Sequence, residues 1–256
     1  MTTPKSNSFF CFGDVHNYVD SAQRFLDYEK PKKVIWLGDF MDNFGDTPAA
    51  AEKTAEWLAH TVKSRPNDIF ICGNHDIAYR YSTEARFQGW GFSPEKCRAF
   101  YSKFDRKLWE RFSWYHVEEW NGQKIVFSHA GLHRTMFPRE VFNQAHLDML
   151  VKRAEDSIYT EKIHPLFDYP VGMLWIRWPD LPLCDGISQV VGHTPYAQPQ
   201  IRAVKASDNW NLLMDCAKNY YAVFKETNAY AFDRNKGYEK LLRFKVTDND
   251  IAKMVK

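Results

Sequence analysis

Short apolar runs alternate with stretches of helical periodicity along the chain, and this alternation predicts an α/β architecture. The apolar runs are predicted strands, at residues 9–12, 34–37, 69–72, 125–128, 190–191 and 211–214, with a closing hairpin at 222–224 and 229–232. The pattern also predicts a helix that stops at Pro31, a second from Thr47 to Pro66, and a third from Ser93 to Leu108. The second begins with a capping threonine followed by a proline, as helices commonly do.

Polar side chains follow five of these strands at the point where each strand ends. Strand by strand they are Asp14 and His16, Asp39, Asn74 with His75 and Asp76, His129, and His193. Four of the strands deliver them through or beside a glycine, which allows a sharp turn and a close approach of backbone to a ligand. Ligands bind at the carboxyl ends of the strands in open α/β sheets, so these residues predict a site at that edge.

The donor types at this edge indicate a divalent cation of the Mn, Fe or Zn kind. Imidazole nitrogens, an amide oxygen and carboxylates together are harder than a thiolate site and softer than an all-oxygen magnesium or calcium site. Six candidate ligands exceed one tetrahedral set, and Asp39 stands where a carboxylate could bridge two ions. Two ions about 3.5–4 Å apart can hold both the attacking and the leaving oxygen of a displacement at phosphorus.

Five short motifs resemble the signature blocks of the calcineurin-like metallophosphoesterases. They are Gly13-Asp14-Val15-His16, Gly38-Asp39, Gly73-Asn74-His75-Asp76, Ser128-His129-Ala130-Gly131 and Gly192-His193-Thr194-Pro195. They occur in the family's order between residues 11 and 217. The sequence most resembles the phosphoprotein-phosphatase branch and its bacterial and phage relatives, including the symmetrical diadenosine tetraphosphatases. The resemblance implies two mixed β-sheets packed as a sandwich flanked by helices, with a metal site at the C-terminal strand ends.

The resemblance also implies a role for each residue of the predicted site. Asp14 and His16 would bind the first metal, Asp39 would bridge, and the second metal would be held by Asn74, His129 and His193. Two divalent ions are expected, Mn²⁺ first and Fe or Zn as alternatives, and a hydroxide bridging them would attack phosphorus. His75 would protonate the leaving group, oriented by the neighbouring carboxylate of Asp76.

Several positions depart from the family pattern. Pro195 replaces a second histidine that many members of the superfamily carry, and Asn43 replaces an arginine that binds phosphate in the phosphoprotein-phosphatase branch. Arg177 resembles a second phosphate-binding arginine and would then act alone. The segment 214–217, Met-Asp-Cys-Ala, resembles an Asp-Thr-Gly-Ala block in loosened form.

The chain is predicted to form a single domain over residues 1–256, with a helical, aromatic-rich insert at about 79–118. In that insert Tyr79, Arg80, Tyr81 and Trp90 either belong to the core or line a substrate pocket. Aromatic residues that line a pocket could stack on nucleobases, whereas the helical spacing of the segment favours core.

Composition excludes several other classes of protein. With 34 Lys and Arg against 32 acids the net charge is +2, which argues against a nucleic-acid partner, and the chain has no apolar run of membrane-spanning length. Five scattered cysteines without a CxxC pair indicate reduced thiols in a cytoplasmic protein. A phosphatase acting on a phosphorylated small molecule, nucleotide or phosphoprotein is the leading hypothesis. A dinucleoside polyphosphate hydrolase, a phosphodiesterase and a catalytically weak metal-binding scaffold remain alternatives.

Overall fold

The computed structural model describes residues 8–120, 122–203, 209–216, 220–225, 228–233 and 241–244. Among these residues there are five α-helices, α1 Val19–Glu29, α2 Pro48–Ser64, α3 Asn74–Arg80, α4 Pro94–Tyr101 and α5 Gln144–Asp156. The strands are β1 Phe9–Phe12, β2 Val34–Trp36, β3 Ile69–Ile71, β4 Phe112–Ser113, β5 Tyr115–Trp120, β6 Gln123–Ser128, β7 Ser188–Val191, β8 Gln200–Ala203, β9 Trp210–Leu213, β10 Tyr220–Lys225, β11 Asn228–Asp233 and β12 Leu241–Phe244. Every strand predicted from the apolar runs is present.

The strands form two mixed sheets. The larger has the order β12-β11-β10-β1-β2-β3-β4, and the smaller has the order β5-β6-β7-β9-β8. Within the larger sheet β1 to β4 are parallel, and within the smaller sheet β6, β7 and β9 are parallel. The carboxyl ends of the parallel strands therefore lie along one edge of each sheet, which is where the predicted ligands follow in the sequence.

The two sheets pack face to face with helices on both outer faces. Alternation along β1 shows the layering, because Phe9 and Cys11 join a core cluster that includes Phe127 of the smaller sheet. Phe10 and Phe12 point the other way and pack with Phe25 of α1. Another cluster places α5 against the outer face of the smaller sheet. The predicted sandwich flanked by helices is confirmed.

The third predicted helix is shorter than its apolar spacing suggested. It begins as predicted, with the Ser93 side chain accepting a hydrogen bond from the backbone N–H of Lys96, but it ends at Tyr101. A separate 3-10 helix spans Arg106–Arg111. The apolar spacing continues because Phe104 still packs on Phe100, with ring centroids 4.7 Å apart.

The segment predicted as a helical insert is only partly helical. It holds α4, which packs on α2, but also β4 and most of β5, which are strands of the two sheets. Helices α3 and α5 were not predicted from the sequence. In the part of the chain that the structure describes, no helix is both long enough and apolar enough to cross a bilayer.

Candidate metal centre and active site

Three parallel strands of each sheet end beside one group of polar side chains. Asp14 and His16 follow β1, Asp39 follows β2, Asn74 follows β3, His129 follows β6 and His193 follows β7, so the sequence order of strands and donors is the predicted one. The structure adds Asp215 after β9, which lies in the same cavity. Almost all of these side chains are buried, which is unusual for carboxylates and imidazoles that have no shared ligand.

The three imidazoles share one arrangement. His129 Nδ1 lies 2.8 Å from the carbonyl oxygen of Leu37, and His193 Nε2 lies 3.2 Å from the carbonyl oxygen of Trp175. His16 Nδ1 lies 3.0 Å from the carbonyl oxygen of Met41. A carbonyl can only accept, so each ring donates from that nitrogen and turns its other nitrogen into the site. Backbone partners of this kind orient metal-binding histidines.

The nitrogens that face the site converge on oxygen acceptors. His129 Nε2 and His193 Nδ1 each lie 2.8 Å from Oδ1 of Asn74, and His16 Nε2 lies 3.7 Å from a carboxylate oxygen of Asp14 and of Asp39. When an imidazole is neutral, the nitrogen that faces the site carries a lone pair, which the amide and carboxylate oxygens repel. Either a proton or a metal ion between them removes that repulsion, so the donor set fits a metal ion that takes the place of a proton.

Asp39 belongs to both groups of donors that can surround an ion. Atoms of His16, Asp39 and His75 lie within 4.8 Å of one another, and so do atoms of Asp39, His129 and His193. Asp39 is the residue common to these two groups. His75 appears in the first group, so distance alone does not separate a ligand from a proton donor at that residue.

The backbone around the site adopts conformations that non-glycine residues seldom adopt. His16, Asp39, Asp42 and His193 all have positive φ angles, of 44°, 48°, 62° and 69°. Left-handed backbone costs free energy for such residues and tends to cluster at functional sites. Gly192 shows how tight the packing is, because a Cβ there would lie 2.1 Å from Oδ1 of Asp14.

The carboxylates and imidazoles shift one another's pKa values. Burial opposes ionisation of Asp39, but His129, His75 and His16 hold the pKa of that carboxyl below its ordinary value. Burial alone would lower the pKa of His129, yet Asp39 and Asp14 raise it to about 10. Burial and the charge of His129 lower the pKa of His193. In the metal-free protein a proton on His129 therefore balances the carboxylates.

This proton makes metal binding dependent on pH. Since the pKa of His129 is about 10, the metal-free site is protonated at neutral pH, and an incoming cation must displace that proton. We expect Mn²⁺ binding to release about one proton per chain near pH 7, and its affinity to rise as the pH increases toward the pKa of His129. Titration calorimetry in buffers with different ionisation enthalpies measures the release. Affinity that does not change between about pH 6 and pH 9 would contradict the assignment of His129 as a ligand.

His75 and Asp76 do not form the predicted pair. Asp76 is the third residue of α3, and its carboxylate accepts the backbone N–H of Gly73 at 2.9 Å and that of Phe40 at 2.9 Å. It therefore caps the helix and holds the loop after β2. The carboxylate beside His75 is that of Asp42, 3.2 Å from Nδ1. The prediction of Asp76 as the orienting carboxylate was wrong, and Asp42 occupies that position.

Asp42 is itself held by buried donors. The ammonium of Lys96 lies 2.6 Å from Oδ1 of Asp42 and 2.8 Å from Oδ1 of Asp46, and the hydroxyl of Tyr79 donates to Asp42 at 2.7 Å. Burial opposes ionisation of Asp42, but the hydrogen bonds from His75, Lys96 and Tyr79 lower its pKa. Tyr79, considered for a pocket, is thus a core residue that supports the site. Sequence reasoning missed both Asp42 and Lys96.

A cavity of about 280 Å³ opens over the donors. Arg177 lines it, and its guanidinium donates to the carbonyl oxygen of His193 at 3.2 Å. Asn43 and Pro195, which replace family residues, also line it. Asp215 completes the wall, and burial and the charge of Asp14 raise its pKa well above the ordinary value. Of the segment 214–217, which resembles the Asp-Thr-Gly-Ala block, Asp215 lines the cavity. Residue 217 lies outside the described residues.

Comparison with known proteins gives a family and a fold. The sequence matches none of the curated proteins with which it was compared. The cold-active protein-tyrosine phosphatase of a psychrophile, Shewanella sp., is 11% identical over 92% of this chain and 80% of that one, with a TM-score of 0.58. Another structure, of a cold-active protein tyrosine phosphatase, is 12% identical over 92% and 78%, with a TM-score of 0.61. A putative diadenosine tetraphosphatase is more distant, 14% identical over 91% and 96%, with a TM-score of 0.40.

The family assignment comes from the sequence profile. The profile of the calcineurin-like phosphoesterases matches residues 8–220, which is most of the chain. The matched range contains every residue of the predicted metal site and Arg177. The fold agrees, since the Shewanella phosphatase aligns over nearly all of the chain. The chain belongs to the calcineurin-like phosphoesterase family and is a hydrolase of phosphoester bonds.

Proposed function

We propose that this protein is a phosphatase that hydrolyses phosphate esters with two divalent metal ions, Mn²⁺ being the preferred one. The observation that carries the proposal is the common arrangement of His16, His129 and His193. Each ring is anchored by one nitrogen on a backbone carbonyl and turns the other toward Asp39 or Asn74. Mixed oxygen and nitrogen donors with room for water favour exchangeable first-row ions such as Mn²⁺.

The ligands divide into two sets around Asp39. Asp14 and His16 would hold one ion, and the other would be held by Asn74, His129 and His193. When bound, the ions supply Lewis acidity, polarising the phosphoryl group and lowering the pKa of water at the site. The contribution of the chain is to hold the donors rigidly, through the backbone bonds to the imidazoles and the close packing at Gly192.

His75 is the proposed general acid. Its Nδ1 faces the carboxylate of Asp42, which leaves Nε2 to donate a proton to the oxygen of the departing alcohol. Its backbone N–H donates to Oδ1 of Asp39 at 2.8 Å, so the same helix start positions both the acid and the shared carboxylate. Lys96 and Tyr79 keep Asp42 ionised and in place. The role proposed for Asp42 is therefore to orient His75.

Arg177 is the proposed phosphate-binding residue. It lines the cavity with His75 and His193. The position of the family's other phosphate-binding arginine is occupied by the neutral Asn43. Among the described residues Arg177 is the one arginine that lines the cavity, so a single phosphoryl group is the simplest substrate, which favours phosphomonoesters over dinucleoside polyphosphates. The Shewanella neighbour is named a protein-tyrosine phosphatase, so aryl phosphates belong in the substrate panel.

Removal and return of metal test the proposal. We expect protein treated with a chelator to lose hydrolysis of p-nitrophenyl phosphate, and we expect Mn²⁺ to restore it better than Mg²⁺ or Ca²⁺, because those ions prefer all-oxygen sites. Metal content by elemental analysis is measured on the same samples. Full turnover by a sample that contains no metal would overturn the proposal, and so would a fully loaded sample without turnover, which is the behaviour of a metal-binding scaffold.

A further inference from the structure

Two large aromatic side chains lie exposed next to each other beside the metal centre. Phe44 is 81% exposed and Trp90 is 58% exposed, and their ring centroids are 4.0 Å apart at an interplanar angle of 54°. They come from different loops, Phe44 from the loop between β2 and α2 and Trp90 from the loop before α4. Keeping two such residues in water forgoes the stabilisation that burial would bring, so the pair calls for a binding role.

The pair faces the reacting groups. Phe44 and Trp90 line the same cavity of about 280 Å³ as His16, Asp39 and His75. Trp90 also borders an adjoining cavity of about 320 Å³, which His75, Phe92 and Trp175 line as well. Both cavities contain His75, so the aromatic pair lies on the side where a leaving group would be protonated.

The position of Trp90 relative to His75 is set by its neighbour Gly91. Gly91 has a φ of +96°, and a Cβ at that residue would lie 2.9 Å from Cβ of Asp42. Asp42 in turn lies 3.2 Å from Nδ1 of His75. The loop can approach the site this closely only because residue 91 has no side chain. Trp90 is thereby carried to the rim beside the proposed general acid.

We infer that the Phe44–Trp90 pair is a stacking platform for an aromatic ring in the leaving group of the substrate. The inference rests on the proposed function and narrows its substrate class to phosphate esters that carry such a ring. Asn43 beside the platform is neutral, so the rim offers a ring surface in place of a charge. Aromatic side chains bind a planar ring through stacking and through burial of its faces.

The ring could be a phenol or a nucleobase, and paired substrates distinguish the two. Phosphotyrosine against phosphoserine tests the phenol ring, because the difference in leaving-group reactivity cancels when the ratio is compared between the wild type and a variant. Adenosine monophosphate against ribose 5-phosphate tests the base. We expect Trp90→Ala to lower at least one of these two kcat/KM ratios by about 5- to 50-fold, the usual worth of one stacked ring. The ratio that falls names the source of the ring.

Three further variants make the result specific. Trp90→Phe should keep most of the kcat/KM ratio that Trp90→Ala lowers, because it retains an aromatic surface. Phe44→Ala should lower the same ratio, and this result does not depend on whether the Trp90 loop misfolds. Tyr28→Ala is the matched control, since Tyr28 on α1 is also 58% exposed but lies outside both cavities. If both ratios stay constant in Trp90→Ala and in Phe44→Ala, the platform does not exist.

A binding measurement separates this inference from the proposed function. We expect the Mn²⁺-loaded protein to bind phenylphosphonate about 10-fold more tightly than methylphosphonate by calorimetry, and Trp90→Ala to abolish the difference. Neither ligand can be hydrolysed, so the result does not depend on turnover. Preference for the phenyl ligand without any phosphatase activity would overturn the proposed function alone. Equal affinity for both ligands in an active enzyme would overturn the platform alone.

Discussion

Replacing Asp39 by Asn is expected to remove both metal ions together with turnover. Asp39 is shared by the two donor groups, and its charge is what raises the pKa of His129 in the metal-free site. An amide cannot bridge two cations as a carboxylate does, so both ions lose a charged ligand at once. Replacing a residue that only hydrogen-bonds to a metal ligand costs roughly 10- to 100-fold in metal affinity, and the loss in Asp39→Asn should exceed that.

Metal content and activity are measured on the same Asp39→Asn samples. Asp27→Asn is the matched control, because Asp27 is an exposed carboxylate of α1 that does not line the cavity. The control should bind two ions per chain and keep its rate. A variant of Asp39 that still binds two ions and hydrolyses at a near-normal rate would show that another residue bridges.

His75→Asn is expected to lower the rate by about 10²–10⁴ while leaving metal content unchanged, because that is the usual effect of a positioned proton donor. The loss should shrink for p-nitrophenyl phosphate, whose leaving group departs without protonation. Asp42→Asn should act in the same direction but less strongly, since Asp42 orients the ring and donates no proton to substrate. Rates on p-nitrophenyl and alkyl phosphates, together with metal analysis, make the comparison.

The same series decides whether His75 is an acid or a ligand. His75 is close enough to His16 and Asp39 to hold an ion, so a ligand role is a real alternative. If His75 is a metal ligand, His75→Asn will lose metal and will lose equal activity on substrates with good and with poor leaving groups. His60→Asn is the control for the substitution itself, because His60 lies exposed on α2.

The layered fold could be predicted because burial leaves a local mark on the sequence. The strand that became β1, Phe-Phe-Cys-Phe, is apolar at every position since one face meets the other sheet and the opposite face meets α1. The start of α2 was predictable for a similarly local reason, as the Thr47 side chain accepts the N–H of Ala50. Helix α4 was predicted too long because the apolar spacing of its continuation is imposed by packing on Phe100, not by helix geometry.

The convergence of the predicted donors was also predictable, whereas the residues that support them were not. The donors follow strand ends, and parallel strands bring those ends together whatever the loops contain. The choice of Asp76 as partner of His75 failed because both residues belong to α3, where consecutive side chains point in different directions. Lys96 is 54 positions from Asp42, and no local pattern connects them. Asp215 carried a usable signal, since it follows β9 as the ligands follow their strands.

Asp39 is proposed to lie between two metal ions. Anomalous difference maps from crystals grown with Mn²⁺ test it most directly, because they locate each ion independently of activity. We expect two peaks about 3.5–4 Å apart on either side of the Asp39 carboxylate, one near His16 and the other near His129 and His193. A single peak, or two peaks that do not share Asp39, would contradict it.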